Sequence, residues 1–363
     1  MTLEEILRFT ADRLASDVHL HVGLPPMIRV QGDLVPIEGA EPLRPDRIRD
    51  LALEILKESQ IERFEAGEEI DTGYGLAGVG RFRANIFRQR GTVGVVLRRV
   101  NVRVPEIEEL GLPPTVEYLT RFHRGLVLVT GMTGSGKSTT LAAMVGRINA
   151  TRRCHIVTLE DPIEYLHHDN ASIVTQREIA QDTRDFGTAL RSVIRQDPDV
   201  ILIGEMRDAE TIRTALTAAE TGHLVLSTLH TTTAPQTIER ILEYFEPEMR
   251  IVIRRQMVAH LRGIISQRLV PRLDGQGMIA AIEILLMNPI VSKKIIEDKL
   301  APLKSIMHHA VNEGMQTFDQ HLVALYQAGL VSLEDARDQS SNPDSFHLFC
   351  QGFFSDIVSN MEG

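Results

Sequence analysis

Cysteine is nearly absent from this 363-residue chain: Cys154 and Cys350 stand far apart, with no CxxC pair and no Cys/His cluster. Neither a disulfide framework nor a structural zinc site is indicated, and two reduced thiols suit a cytosolic protein. An excess of positive charge is lacking too. Asp and Glu number 49 against 39 Lys and Arg, a formal net charge of -10, so a chain-wide basic footprint for nucleic acid is missing. No apolar run approaches the ~20 residues that span a bilayer; runs such as 126–129 and 200–203 have the length of strands. The opening MTLEEILRFTADRLASD is acidic and helix-patterned, where a signal peptide would have a basic start and an apolar core. Any membrane association is expected to come through a partner or a surface.

What is present is ordinary globular composition, 43% hydrophobic and 24% charged, at a length that predicts two or three domains. Thr2 and Glu5 form a capping-box pattern ahead of Leu3, Ile6, Leu7 and Leu14 on one helical face. Alternating segments at 18–22 and 27–30 follow, joined through Gly23, Pro25 and Pro26, with a hairpin turn expected at Gly32 and Asp33. Residues 47–64 read as another helix, and 80–100 as strands rich in arginine. Together they make a small α+β domain, residues 1–112. The proline- and acid-rich stretch 104–114 around Gly111 reads as a linker, with the boundary near Leu112.

From residue 113 to 363 the pattern changes. Apolar strands at 126–130, 155–159, 200–203 and 224–229 alternate with helices at 138–150, 185–195 and 209–220. Their near-continuous Val, Ile and Leu content suits a mostly parallel α/β sheet covered on both faces. After Pro271 the character reads as mainly helical, with C-terminal helices from about residue 285 and a second capping box at Thr317 and Gln320.

Gly131-Met132-Thr133-Gly134-Ser135-Gly136-Lys137-Ser138 matches G-x-x-x-x-G-K-[ST], directly after an apolar strand and directly before a helix. Glycines at these positions let backbone N–H groups turn inward around phosphate oxygens, and the helix N-terminus adds its positive end. Lys137 would reach the β and γ phosphates of ATP, the Ser138 hydroxyl would ligate Mg²⁺, and Thr139 is expected to bind the nucleotide with the rest of 131–138. A second buried strand, DVILIGE, ends in a carboxylate at Glu205, one residue later than the usual pattern because Gly204 intervenes. That offset favours activation of water over direct ligation of metal. TLEDPIE places Glu160, Asp161 and Glu164 at the end of another strand, where ligands collect in open α/β sheets. His223 and His230 flank the strand 224–229; their seven-residue offset puts them at opposite ends with opposite pleat parity, so only one faces a given point.

The stretches GMTGSGKSTT, TLEDPIEY, DVILIGEMRD and AAETGHLVLSTLHT closely resemble, in order, the Walker A, Asp box, Walker B and His box of the secretion-superfamily ATPases. Within them the chain is most similar to PilT/PilU-type retraction motors of type IV pili. ASDVHLHVGLPPMIRVQGDL and GRFRANIFRQRG resemble that family's N-terminal domain, and GMQTFDQ its C-terminal region, so the likeness covers nearly the whole chain.

The resemblance implies a RecA-like P-loop NTPase core with a smaller, PAS-like α+β N-terminal domain and a helical C-terminal region. It implies Glu205 as general base and Glu164 as support for metal or water. His230 would sense the γ-phosphate, and His223 would couple the site to its surroundings. Arg81, Arg83 and Arg98 would approach nucleotide bound between domains or subunits, as fixed guanidinium forks suited to spread phosphoryl charge. It also implies a homo-hexamer in the cytoplasm, peripheral to the inner membrane at the pilus base, acting on a platform protein with or without a paralogous retraction ATPase. No stable nucleic-acid binding is expected. The family's AIRNLIRE box has no clear counterpart in VSKKIIEDKLAPLKSI at 291–306, which leaves a principal motor and a PilU-like accessory both open. A secretion or DNA-uptake motor and a non-hydrolysing ring subunit stand as the further alternatives.

Overall fold

The computed structural model describes residues 1–30, 32–101 and 103–351. In it Thr2 caps the first helix, α1 (Leu3–Asp12): its Oγ1 accepts from the Glu5 N–H while Glu5 accepts from the Thr2 N–H. Leu3, Ile6 and Leu7 are buried as the spacing predicts. Leu14 is not: the helix stops at Asp12, and Leu14 turns out to solvent at φ 53, the left-handed position that often ends a helix.

The chain divides into two units, Met1–Arg103 with Pro162–Leu166, and Val104–Asp161 with His167–Gly363. The first has strands β1 (Asp17–Leu20), β2 (Met27–Val30), β3 (Asp33–Pro36), β4 (Ile70–Leu76), β5 (Gly80–Gln89) and β6 (Thr92–Arg99), an antiparallel sheet in the order β3-β2-β1-β6-β5-β4. The expected helix at 47–64 is two helices, α2 (Pro45–Ile55) and α3 (Glu58–Glu65), because Leu56 and Lys57 are both extended, with ψ 143 and 159. Alternation along the strands buries Phe82, Ala84, Ile86, Val95 and Leu97 against the helical residues Leu7, Ile48, Leu51 and Phe64.

The expected linker is not one. Val104 opens the second unit, and Ile107 and Leu112 pack with Val116 and Leu119 of α4 (Pro114–Thr120) in that unit's core. Its strands are β7 (Gly125–Thr130), β8 (His155–Glu160), β9 (Ile173–Glu178), β10 (Val200–Ile203), β11 (Leu224–Leu229), β12 (Leu261–Pro271) and β13 (Met278–Leu286). They form one sheet, β13-β12-β7-β11-β10-β8-β9, parallel throughout except for the β12–β13 hairpin. One face is covered by α4 and α5 (Lys137–Thr151). The other is covered by α6 (Phe186–Val193), α7 (Ala209–Glu220), α8 (Ala234–Glu243) and α9 (Pro247–His260). Burial on both faces is why β7, β10 and β11 read as nearly unbroken apolar runs.

The hairpin strand β13 falls in the stretch read as helical. MIAAIEILL is rich in helix formers, and pairing along β12 from Gly263↔Leu286 to Pro271↔Met278 overrides that preference. Helices α10 (Pro289–Ile296) and α11 (Leu303–His309) extend the core, while α12 (Phe318–Gln327), α13 (Leu333–Gln339) and α14 (Phe346–Cys350) pack on the hairpin through Phe318, Leu322 and Phe346. The fold is thus α/β: an antiparallel N-terminal sheet, a mixed, mainly parallel core and C-terminal helices.

Glu283 of β13 is buried in this core and accepts the Ala234 N–H at the start of α8 at 2.8 Å. Burial pushes its carboxyl up to about 7, against the opposing pull of that hydrogen bond and of the Arg268 and Lys304 charges, with Asp319 adding to the rise. The folded value lies above the ordinary carboxylate value. Its contribution to stability is therefore full at low pH and lost as pH rises through about 7. Glu283→Gln keeps the acceptor without the charge, so its melting temperature should gain on the parent's between pH 5 and pH 8, as scanning calorimetry at both pH values would read.

Candidate nucleotide-binding site

The loop between β7 and α5 lies at the carboxyl edge of the parallel strands. Gly131 opens it at φ 149; a Cβ there would stand 2.4 Å from Ser135 Oγ and 2.5 Å from the Gln267 carbonyl of β12. Gly136 closes it at φ 86 as the N-cap of α5. Both positions need glycine, one for close approach and one for its backbone conformation. Met132, Thr133 and Gly134 are exposed at the loop's tip, and Ser138 and Thr139 lie in the first turn of α5. Lys137 is 9% exposed, and its Nζ donates to the carbonyls of Gly131 at 2.8 Å and Met132 at 3.0 Å. Ser135 Oγ is buried without a hydrogen-bond partner.

Parallel pairing brings the ends of β8, β10 and β11 to the same edge as this loop. Gly204 follows β10, held by its N–H to the Leu159 carbonyl at 2.7 Å and by Thr228 Oγ1 on its own carbonyl at 2.6 Å. Glu205 comes next, its side chain 18% exposed. Its Oε2 accepts from Arg207 Nε at 2.7 Å, and its Oε1 lies 3.0 Å from Nε2 of His230, the residue after β11. Glu160 is tied down elsewhere, accepting from Thr158 Oγ1 and Gln176 Nε2.

The remaining expected site residues are His223 on the second unit and Glu164, Arg81, Arg83 and Arg98 on the first. His223 precedes β11, so it stands at the opposite edge from the loop, and its Nδ1 lies 2.9 Å from the Ala218 carbonyl at the end of α7. Its seven-residue offset from His230 places it there, as the spacing along the strand predicts. Glu164 is exposed, in the segment counted with the first unit. Arg81, Arg83 and Arg98 belong to the first unit, on the sheet face opposite its core, with Arg83 directly across from Arg98. Arg98 Nε donates to Asp17 at 2.8 Å. Burial works to raise the Asp17 carboxyl, but hydrogen bonds from Arg98 and Ser16 and the Arg98 charge together hold it below its ordinary value.

A buried lysine, a cradle that any side chain at 131 would fill and an orphaned hydroxyl fit a chain of phosphates. Among the described residues no cluster of three or more His, Cys, Asp or Glu could hold a metal alone. Arg207 and Gln267 were not anticipated: the first lies inside a quoted motif without a role, the second on a strand that carries no periodic signal.

Fold and loop together define a P-loop nucleoside triphosphatase. Residues 81–326 match the model of the type II/IV secretion system protein family, and the chain belongs to that family. It is 46% identical to the type IV pilus retractation ATPase PilT of Pseudomonas aeruginosa over 95% of this chain and 100% of that one. It is 41% identical to the type IV pilus ATPase PilU of the same organism, over 96% and 91%. A crystal structure of the pilus retraction motor PilT with bound ADP superposes with a TM-score of 0.87 at 44% identity, covering 95% of this chain and 98% of that one. The protein is an ATPase of this family and a homologue of pilus retraction ATPases over nearly its full length.

Gly131→Ala should cost roughly 1–3 kcal/mol of stability through overpacking against the β12 backbone. The rise in melting temperature that saturating ADP produces in the parent should disappear with it, as thermal scans with and without ADP would read.

Proposed function

We propose that this protein is a homo-hexameric motor that hydrolyses ATP to withdraw type IV pili, the machinery of twitching motility, acting on the platform protein at the cytoplasmic face of the inner membrane. The observation that carries this reading is the 46% identity to a retraction ATPase along that protein's entire length. Absence, among the described residues, of any helix long and apolar enough to cross a membrane agrees with a peripheral motor. The second unit is read as a RecA-like core and the first as a PAS-like domain.

The loop 131–136 would hold the phosphates of ATP on its backbone N–H groups, with Lys137 as the compact positive charge and the Ser138 hydroxyl as the protein ligand of Mg²⁺. Once bound, that ion neutralises charge on the β and γ phosphates. Glu205 is the general base: its carboxylate accepts the proton of the attacking water, while Arg207 and His230 hold its two oxygens in one orientation. His230 stands where a change beside the γ-phosphate would reach Glu205 directly. Glu164, Arg81, Arg83 and Arg98 are assigned to water, metal and phosphoryl charge on the family resemblance. His223 is assigned there to coupling of the site to its surroundings.

A PilU-like accessory motor is the second reading, favoured by the 41% identity over 96% of the chain. The experiment is Glu205→Gln at the native locus beside a deletion strain, with labelled pili imaged. Purified Glu205→Gln should retain ADP binding while phosphate release falls about 100-fold or more, the scale of a lost general base. Pili should extend without withdrawing; unchanged retraction in the deletion strain would leave the accessory reading in its place.

A further inference from the structure

Strand β12 carries two consecutive side chains that hold the phosphate loop from opposite faces of the sheet. Ser266 Oγ accepts a buried hydrogen bond from Thr130 Oγ1 at 2.9 Å, at the last residue of β7. Gln267, one residue on, points to the α5 face, where it is 2% exposed. Its Nε2 donates to the carbonyl of Ser135 at 2.6 Å, and its Oε1 is buried without a partner. Methionine or leucine would fill the same space without leaving an amide oxygen unsatisfied, so packing alone does not account for the residue.

The carbonyl that Gln267 grips belongs to the same peptide unit as the N–H of Gly136. A trans peptide is planar and aims its C=O and N–H in opposite directions. A Ser135 carbonyl drawn towards β12 therefore turns the Gly136 N–H away from β12. We propose that Gln267 is a positioning residue of the nucleotide site: by holding the Ser135 carbonyl it sets the 135–136 peptide so that the Gly136 N–H faces phosphate. The inference rests on the reading of 131–138 as the phosphate loop. It needs no contact between Gln267 and nucleotide.

The test is titration of the full-length purified protein with fluorescent ADP and, by competition, with AMP. Gln267→Met matches the side chain in length and lacks the donor; Gln267→Leu lacks it too and serves if the first variant does not fold. Affinity for ADP should fall about tenfold, the order of one lost buried hydrogen bond, while AMP, which lacks a β-phosphate for the loop, should shift less than twofold. A merely structural role would weaken both alike, and that result, or ADP affinity within twofold of the parent in a folded variant, would overturn the proposal. Lys137→Ala is the reference arm. If it lowers ADP affinity and the Gln267 variants do not, only the role of Gln267 falls; if it leaves ADP affinity unchanged, the phosphate-loop reading falls first.

Discussion

Close approach of a glycine to a neighbouring strand is the constraint on which the rest of this site depends. Gly131 leaves β7 so near the Gln267 carbonyl that a single added carbon would stand 2.5 Å from it. No side chain fits at that approach, and between it and α5 the chain turns to place Gly136 in the left-handed conformation at the helix start. Lys137 then falls where its ammonium reaches back to the carbonyls at the loop's entrance. Loop, helix start and lysine are thus gathered beside one close approach of backbone to β12.

The second constraint is register. Because β7, β11, β10 and β8 are paired in parallel, every loop that leaves their carboxyl ends emerges along one edge. Glu205 and His230 come from different strands, more than twenty residues apart, yet lie 3.0 Å from each other. Gly204 makes this possible: pinned to Leu159 and Thr228, it carries the chain one step past the strand before the carboxylate appears. The added residue that looks like a departure in sequence is the step that leaves both oxygens of Glu205 free to meet Arg207 and His230.

The first unit shows how the same alternation serves two purposes. Residues 82, 84 and 86 of β5 build the core, and the intervening Arg81 and Arg83 collect on the far face beside Arg98. Asp17 offsets part of that charge through Arg98, which limits repulsion among the guanidinium groups.

The phosphate loop, the strand that ends at Glu205, the histidine at the end of β11 and the capped helices at Thr2 and Thr317 were all legible in the residues. Each depends on local chemistry: glycine at a turn, a hydroxyl three residues before an acceptor, an apolar run covered on both faces. What could not be read was decided by partners distant in the chain. MIAAIEILL favours helix in isolation and is a strand because β12 lies beside it. Residues 104–112 look like a linker and are core because Ile107 and Leu112 find Val116 and Leu119. The spacing of His223 and His230 sets them at opposite ends of β11, and only parallel pairing with β10 decides that His230's end is the one beside Glu205. Gln267 reaches a loop more than one hundred and thirty positions earlier, a distance at which no pattern survives. Local propensity and motif spacing, which act through neighbours, determined the parts of this protein; contacts closed across the sheet decided which of those parts meet.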